Sequence, residues 1–214
     1  MPYSSNITLL SEVVLGDANI AAIYKPLSGE RPLSDFTDGL CYREVAAYRL
    51  SADLGWELIP PTVLRKDGPF GVGSLQLFIH ANFQEHYFSL MGDATLEPKF
   101  IEFAIFDLIG NNADRKSGHI LIDGDCQLWG IDNGLMFHQS PKLRTVIWEF
   151  GGAELTQSQI QDLGRVQLSA NELFDGLINP NEIKAFIKRC QFLSSKKKLP
   201  RVDPEARPYP WPLV

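Results

Sequence analysis

The sequence lacks the features that define several large protein classes. It has only three cysteines, Cys41, Cys126 and Cys190, and they are widely spaced. An odd number without metal-type pairs argues against a disulfide framework and predicts free thiols in a reducing compartment. No apolar run is long enough to cross a membrane, and no basic start precedes an apolar core as in a signal peptide. We therefore expect a cytoplasmic protein without stable membrane insertion.

Excess basic charge is also missing. The chain has 20 Lys and Arg against 26 Asp and Glu, a net charge of -6. Binding to nucleic acid requires a basic surface, so we expect no nucleic-acid partner. Three motifs are absent as well: the Gly-x-Ser-x-Gly elbow of hydrolases, the His-Glu-x-x-His pair of zinc proteases and the Walker A lysine. What remains is 214 residues with 44% apolar content, enough for a sizeable core in one domain or two packed lobes.

The first 80 residues predict a mixed sheet and helix. Two β-rich runs at 7–15 and 20–26, separated by a turn, indicate a hairpin. Residues 41–54 have apolar side chains at three- and four-residue spacing, which is typical of a helix. Further strands are predicted at 62–65 and 74–79. The order is therefore β-β-α-β-β.

The rest of the chain predicts a mainly helical region followed by a tail. The expected elements are a strongly apolar helix at 98–110, a hairpin at 120–122 and 127–132, and two or three helices within 154–193. Residues 200–214 are rich in proline and aromatics and cannot be helical. We expect this tail to pack on the body through Tyr209 and Trp211. The alternative is a polyproline ligand for a partner protein.

Two aspartates, 18 residues apart, are the strongest functional signal. Asp114 lies in a polar turn directly after the apolar helix, and Asp132 ends a short strand before Asn133-Gly134. Phosphoryl transfer uses one carboxylate to orient the attacking hydroxyl and another to hold the metal on the phosphates. We predict that Asp114 has the first role and Asp132 the second. Arg115, next to Asp114, is a candidate catalytic residue that stabilises phosphate charge.

Other polar residues fit the same chemistry. Lys25 ends an apolar strand, from which it can reach nucleotide phosphates, and Glu44 in the following helix can pair with it. His119 stands five residues after Asp114, where a kinase usually has a metal-binding asparagine. A neutral imidazole can also bind a divalent ion, and a structural histidine is the alternative.

A possible adenine contact follows the last predicted strand of the first half. The backbone of Gln76-Leu77-Phe78 lies where the two lobes should be linked, and it can contact the adenine edge. The alternative is that this segment is an ordinary strand.

The chain resembles the phosphatidylinositol 3-/4-kinase-like superfamily, close to the HipA-type bacterial kinases, and more narrowly the bacterial SCO1664 family. Its matching segments span nearly the whole chain. They are Ser4-Ser5-Asn6, Tyr24-Lys25-Pro26, residues 42–50, Pro60-Pro61-Thr62, Gln76-Leu77-Phe78, residues 111–115, Trp129-Gly130-Ile131-Asp132, residues 143–150 and Tyr209-Pro210-Trp211-Pro212.

This resemblance implies an α+β, two-lobed protein-kinase-like fold. A small β-rich N-lobe with one helix would cover residues 1–80, a mainly helical C-lobe residues 81–199, and the tail residues 200–214. It also implies roles in nucleotide binding. Ser4, Ser5 and Asn6 would lie over the phosphates, Lys25 would bind them, and Glu44 would steady Lys25. The implied cofactors are ATP and Mg²⁺ or Mn²⁺.

We therefore expect an ATP-dependent phosphotransferase that phosphorylates a hydroxyl of a protein or a small molecule. Two departures from ordinary kinases leave alternatives open: no glycine-rich phosphate loop is present, and His119 replaces the usual asparagine. One alternative is a pseudokinase that binds nucleotide as a non-catalytic interaction module. The other is an AMP transferase on the same fold, with the nucleotide reversed in the cleft.

Overall fold

The computed structural model describes residues 6–36, 39–203, 205 and 207–214. Ser4 and Ser5, which are predicted to lie over the phosphates, are outside these described residues. None of the described helices is long and apolar enough to span a membrane.

The N-terminal lobe is a four-stranded antiparallel sheet with one helix. Its strands are β1 (Leu9–Leu15), β2 (Ala18–Pro26), β3 (Thr62–Gly68) and β4 (Gly71–Leu77), in the order β1-β2-β4-β3. Along the second half of β2, buried side chains alternate with more exposed ones, as expected for a sheet with one face on the core. Lys25 is thereby placed near the end of β2, opposite Ser74 of β4.

Helix α1 (Leu40–Leu54) connects β2 to β3. Its start is capped from outside the helix: the Glu30 carboxylate accepts hydrogen bonds from the backbone N–H groups of Gly39, Leu40 and Cys41 at 2.8–2.9 Å. These donors would otherwise lack partners, and the negative charge suits the positive end of the helix dipole. The cap fixes the end of α1 that carries Glu44.

The C-terminal lobe is built from helices and one short hairpin. Its elements are α2 (Tyr87–Leu90), α3 (Glu97–Gly110), β5 (Ile120–Ile122), β6 (Leu128–Gly130), α4 (Gln157–Leu173) and α5 (Pro180–Lys196). Helix α3 is the centre of the core: Phe100, Phe103, Phe106 and Ile109 are almost fully buried. Burial of these side chains contributes several kcal/mol to the free energy of unfolding, since each buried apolar side chain contributes about 1.5–3 kcal/mol.

The fold predicted from the sequence, α+β with a sheet lobe and a helical lobe, is confirmed. Two details differ. The strand predicted at 74–79 is β4, which begins at Gly71 and ends at Leu77. The region 154–193 contains two helices, α4 and α5, and the second continues to Lys196.

The C-terminal tail packs on the body, but not through its aromatic rings. The Pro208 carbonyl accepts hydrogen bonds from the Thr145 N–H at 3.0 Å and the Trp148 indole at 3.2 Å. The Leu213 carbonyl accepts one from the Ser117 N–H at 2.8 Å. Trp211, in contrast, is 87% exposed. The expectation that Trp211 anchors the tail is therefore wrong, because backbone carbonyls and the buried prolines hold it instead.

Candidate active site

The two lobes meet at the side chain of Lys25. Its ammonium forms an ion pair with Glu44 of α1 and lies 2.9 Å from Asp132 Oδ1, just after β6. Three separate elements, β2, α1 and the turn after β6, thus converge on one cation. Glu44 is buried, whereas 56% of the Asp132 side chain is exposed. The sequence predicted the pairing of Lys25 with Glu44, whereas the direct contact between Lys25 and Asp132 is seen only in the structure.

The charges in this cluster stabilise one another. Removal of Lys25 from water would lower its pKa, but the charges of Asp132 and Glu44 and the hydrogen bonds to both outweigh that effect and raise the pKa. The positive charge of Lys25 in turn lowers the pKa of Asp132 despite partial burial. Both groups therefore stay ionised at neutral pH, as a phosphate-binding lysine and a metal-binding carboxylate must be.

The backbone around Asp132 presents its carboxylate to the cleft. Asp132 has φ 57°, in the left-handed region that aspartate tolerates better than most residues. The next N–H, of Asn133, donates to Glu44 Oε2 at 3.0 Å. At Gly134 an added Cβ would lie 3.2 Å from Leu40 Cβ, so the glycine allows α1 to pack closely here. The turn after β6 is thereby fastened to α1.

Asp114 lies in the turn that ends α3. Asn111, with φ 53°, ends the helix, and Asn112 Oδ1 accepts the Asp114 N–H at 3.0 Å. Lys116 Nζ lies 3.0 Å from Asp114 Oδ2. Burial raises the pKa of Asp114, and the positive charge of Lys116 opposes part of that rise. A partly desolvated carboxylate of this kind is a stronger base than an exposed one.

His119 lies between the two aspartate turns. Its Nε2 is 3.6 Å from Asp132 Oδ2, and its Nδ1 accepts the Lys116 N–H at 3.3 Å. Burial lowers the pKa of His119 to about 4, with further lowering by nearby cations, while Asp132 opposes the shift. The imidazole is therefore neutral at pH 7. With Nδ1 accepting, the proton belongs on Nε2, facing Asp132.

Arg115, predicted to stabilise phosphate charge, is buried in an ion pair with Asp107. Its side chain is fully buried and donates to both carboxylate oxygens of Asp107 at 3.1–3.2 Å. It also donates to the Ile131 carbonyl at 2.9 Å and to Asn133 Oδ1 at 2.7 Å. In this arrangement the guanidinium donors are used by partners within the protein. The side chain joins the Asp114 turn to the Asp132 turn.

Asp107 is a site-supporting residue that the sequence prediction missed. Besides Arg115, its carboxylate accepts hydrogen bonds from Asn112 Nδ2 at 2.9 Å and Thr145 Oγ1 at 3.0 Å. The signal was present in the sequence, because Asp107 is the one carboxylate within the apolar run 103–110 of α3. A buried charge there requires a charged or hydrogen-bonding partner.

The proposed adenine contact at Gln76 and Phe78 needs correction. The Gln76 side chain is buried and donates to Thr62 Oγ1 at 2.9 Å. The N–H groups of Leu77 and Phe78 already donate to the carbonyls of Pro61 and Ala21. The Gln76 side chain and both of these N–H groups therefore have partners within the chain. The N–H groups of Ile79 and His80, which follow β4, have no hydrogen-bond partner within the described part of the chain.

Asn6, the only described member of the predicted phosphate-loop residues, is bound within the chain. Its Oδ1 accepts the Arg31 N–H at 2.9 Å. The side-chain oxygen therefore holds Asn6 against the segment before α1. Nothing in this contact places Asn6 on a phosphate.

A divalent metal at this site would depend on few protein ligands. No group of three or more His, Cys, Asp and Glu side chains that could hold an ion occurs among the described residues. Magnesium in kinase-type sites is bound by only one or two carboxylates together with substrate phosphates. The half-exposed, ionised Asp132 fits that mode. His119 fits it poorly, because its Nε2 carries a proton as long as Nδ1 accepts from Lys116.

Solved structures define the class of the fold. Hydra Fam20, solved with sugar, matches with a TM-score of 0.58 and 13% identity, covering 90% of this chain and 81% of that chain. The proinflammatory kinase CtkA of Helicobacter pylori matches with a TM-score of 0.52 and 11% identity, covering 91% and 89%. The chain therefore has a kinase-like fold.

A curated relative defines the family. Protein Rv2133c of Mycobacterium tuberculosis is 36% identical over 247 aligned positions, covering 98% of this chain and 88% of the relative. The chain belongs to the family of Protein Rv2133c. No protein-family model matches the sequence.

Proposed function

We propose that this chain is an ATP-dependent phosphotransferase of the kinase type. The observation that supports this best is the position of the Lys25 ammonium between Glu44 of α1 and Asp132 after β6. A strand lysine paired with a helix glutamate, next to a metal-binding aspartate, is the phosphate-binding arrangement of protein kinases.

Each residue has a defined role in this proposal. Lys25 holds the nucleotide phosphates, and Asp132 holds Mg²⁺ or Mn²⁺, which neutralises charge on the phosphates when bound. Asp114 orients the acceptor hydroxyl and takes its proton. The acceptor oxygen then forms a bond to the γ-phosphorus while the bond to the bridging oxygen breaks, and ADP leaves. Positioning and charge stabilisation would supply most of the rate.

The proposed nucleotide position follows from backbone donors after β4 that have no partner among the described residues. An adenine edge placed at residues 79 and 80 would meet N–H groups that β4 does not use. The proposed acceptor is a protein hydroxyl, as in HipA-type kinases, or a small polar molecule. A place near the HipA-type and phosphatidylinositol 3-/4-kinase-like enzymes is supported by the Asn112-Ala113-Asp114 and Ile131-Asp132 segments.

Thermal denaturation of the full chain tests nucleotide and metal binding. ATP with Mg²⁺ or Mn²⁺ should raise the unfolding midpoint, since a ligand that binds only the folded state stabilises it. Asp132→Asn should remove the metal-dependent part of the rise. Asp125→Asn is the matched control, because Asp125 is an exposed aspartate in the β5–β6 turn. No rise with any nucleotide in the wild-type chain would contradict the proposal.

A nucleotide-binding module without catalysis is the second candidate. It is favoured by His119, whose protonated Nε2 faces Asp132 where a kinase has a metal-binding asparagine. Labelled ATP separates the two. A kinase transfers the γ-phosphate label and loses transfer in Asp114→Asn. If the chain is a binding module, ATP raises its unfolding midpoint, but neither the wild-type chain nor Asp114→Asn forms ADP.

A further inference from the structure

A buried ion pair joins α1 to α5. Arg43 Nη2 lies 2.7 Å from Glu182 Oε1, and Arg43 Nη1 donates to the Met136 carbonyl at 2.7 Å. Only 4% of each charged side chain is exposed. The helix that carries Glu44 is therefore fastened to the C-terminal lobe through a charged contact removed from solvent.

The same helix turn contacts the candidate site. Glu44, next to Arg43 in the chain, binds Lys25 and accepts the Asn133 N–H at 3.0 Å. Two consecutive side chains of α1, Arg43 and Glu44, thus bind backbone groups of residues 136 and 133, both in the segment that follows Asp132. A displacement of α1 would break both contacts and move the Lys25 partner with it.

Glu182 is itself fixed in place. Its Oε2 accepts the Asn179 N–H at 3.1 Å, and Asn179 Oδ1 accepts the Glu182 N–H at 3.1 Å, which caps the start of α5. Ile183 and Phe186, in the first two turns of α5, are buried in the core. Arg43 therefore binds a carboxylate that is anchored independently of α1.

Stability alone does not explain this arrangement. Apolar residues of similar volume often stabilise a protein as well as a buried ion pair does. A guanidinium that binds a carboxylate and a carbonyl at once, however, accepts only a narrow range of orientations. The contact is suited to fixing the position of α1.

We propose that Arg43 and Glu182 are positioning residues for phosphoryl transfer. Through α1 and Glu44 they hold the Lys25 ammonium beside Asp132. The ion pair between Arg43 and Glu182 thereby keeps Lys25, Glu44 and Asp132 together. This inference rests on the proposed function, and its test is chosen to separate the two.

The experiment compares the full-length wild-type chain with two variants. Arg43→Met combined with Glu182→Met removes the charged contact without leaving one buried charge unpaired. Arg165→Met is the matched control, because Arg165 also ties α1 to the C-terminal lobe, but at the other end of the helix. It donates to the Asp53 carbonyl at 2.6 Å and pairs with Asp162 at 2.6 Å.

Amide hydrogen exchange measures the coupling directly. In the double variant we expect faster amide exchange at residues 131–137 and in the first half of α1. In Arg165→Met the exchange rates at residues 131–137 should equal those of the wild-type chain. Unchanged exchange at 131–137 in the double variant would overturn the proposal. If the double variant does not fold, Arg43→Gln combined with Glu182→Gln takes its place, since two amides can hydrogen-bond to each other and neither buried charge remains.

Turnover measures the consequence for the reaction. ADP release from Mg²⁺-ATP should show a kcat lowered at least about tenfold in the double variant, because small misplacements of a catalytic group are costly. Arg43→Lys, which keeps the charge, should recover part of the loss. A lower unfolding midpoint with wild-type kcat would mean a purely structural pair and would overturn the proposal. If the wild-type chain binds no ATP, the proposed function fails, while the exchange result still decides whether Arg43 holds the segment after Asp132.

Discussion

Replacement of Arg115 by methionine separates its two possible roles. The sequence predicts a residue that stabilises phosphate charge, whereas the structure buries the guanidinium completely against Asp107. Arg115→Met would leave the Asp107 carboxylate buried with only the Asn112 and Thr145 donors. Removing one partner of a buried ion pair typically costs about 3–5 kcal/mol.

The expected effect is large relative to the stability of the chain. A typical domain unfolds with a free energy of about 5–15 kcal/mol. For a chain of this size, each kcal/mol shifts the unfolding midpoint by roughly 2–4 °C. Arg115→Met should therefore lower the midpoint by roughly 6–20 °C in a thermal denaturation followed by circular dichroism.

A neighbouring substitution supplies the control. Lys116 pairs with Asp114 at a partly exposed position, so Lys116→Met should change the free energy of unfolding by less than about 1 kcal/mol. The reasoning fails if Arg115→Met keeps the wild-type midpoint but loses the stabilisation by Mg²⁺-ATP. That outcome would mean that Arg115 leaves Asp107 and contacts the nucleotide, as the sequence alone suggested.

Three further predictions follow from the same contacts. Asp114→Asn should lower phosphoryl transfer by about 10²-fold or more, since a positioned base typically contributes 10²–10⁴-fold, while the rise in midpoint with Mg²⁺-ATP stays at the wild-type value. Because burial lowers the pKa of His119 from 6.5 to about 4, the unfolded chain binds more protons between these pH values. Stability should therefore rise by roughly 3 kcal/mol from pH 4 to pH 6.5; urea unfolding across that range should show a flatter profile for His119→Gln, and an equal slope in both proteins would contradict the assigned burial. Trp211→Ala should leave the urea midpoint almost unchanged, because the ring is 87% exposed. Deletion of residues 208–214 should lower it clearly by leaving the Thr145, Trp148 and Ser117 donors without acceptors; an equal effect of both changes would show that the ring does anchor the tail.

The sequence was informative where local patterns decide the structure. The turn residues around Asp114 and Asp132 predicted two short loops after regular elements, and both exist. Lys25 at a strand end and Glu44 in the first turn of the next helix were predicted to pair as a strand lysine and a helix glutamate do in kinases, and they form an ion pair. In these cases the element type and the chain direction are enough to place the side chain.

Local patterns failed where a partner outside the turn decides the orientation. Nothing next to Arg115 distinguishes an exposed cation from a buried one; its orientation follows from Asp107, eight residues earlier in α3. The end of β4 was likewise set by neighbouring strands, since the Phe78 N–H pairs with the carbonyl of Ala21. Such contacts depend on tertiary packing, which periodicity does not encode.

The contacts of residues 131–133 explain how the candidate site is held without a glycine-rich loop. The Ile131 carbonyl and the Asn133 side chain accept from Arg115, which belongs to the Asp114 turn. The Asn133 N–H donates to Glu44, which belongs to the N-terminal lobe. The relative positions of Asp114, Asp132 and Lys25 are therefore set by buried side-chain contacts to one three-residue segment. Each contact uses a different group of that segment. Loss of the Arg115 contacts should therefore first disturb the Asp114 turn, and loss of the Glu44 contact should first disturb the N-terminal lobe.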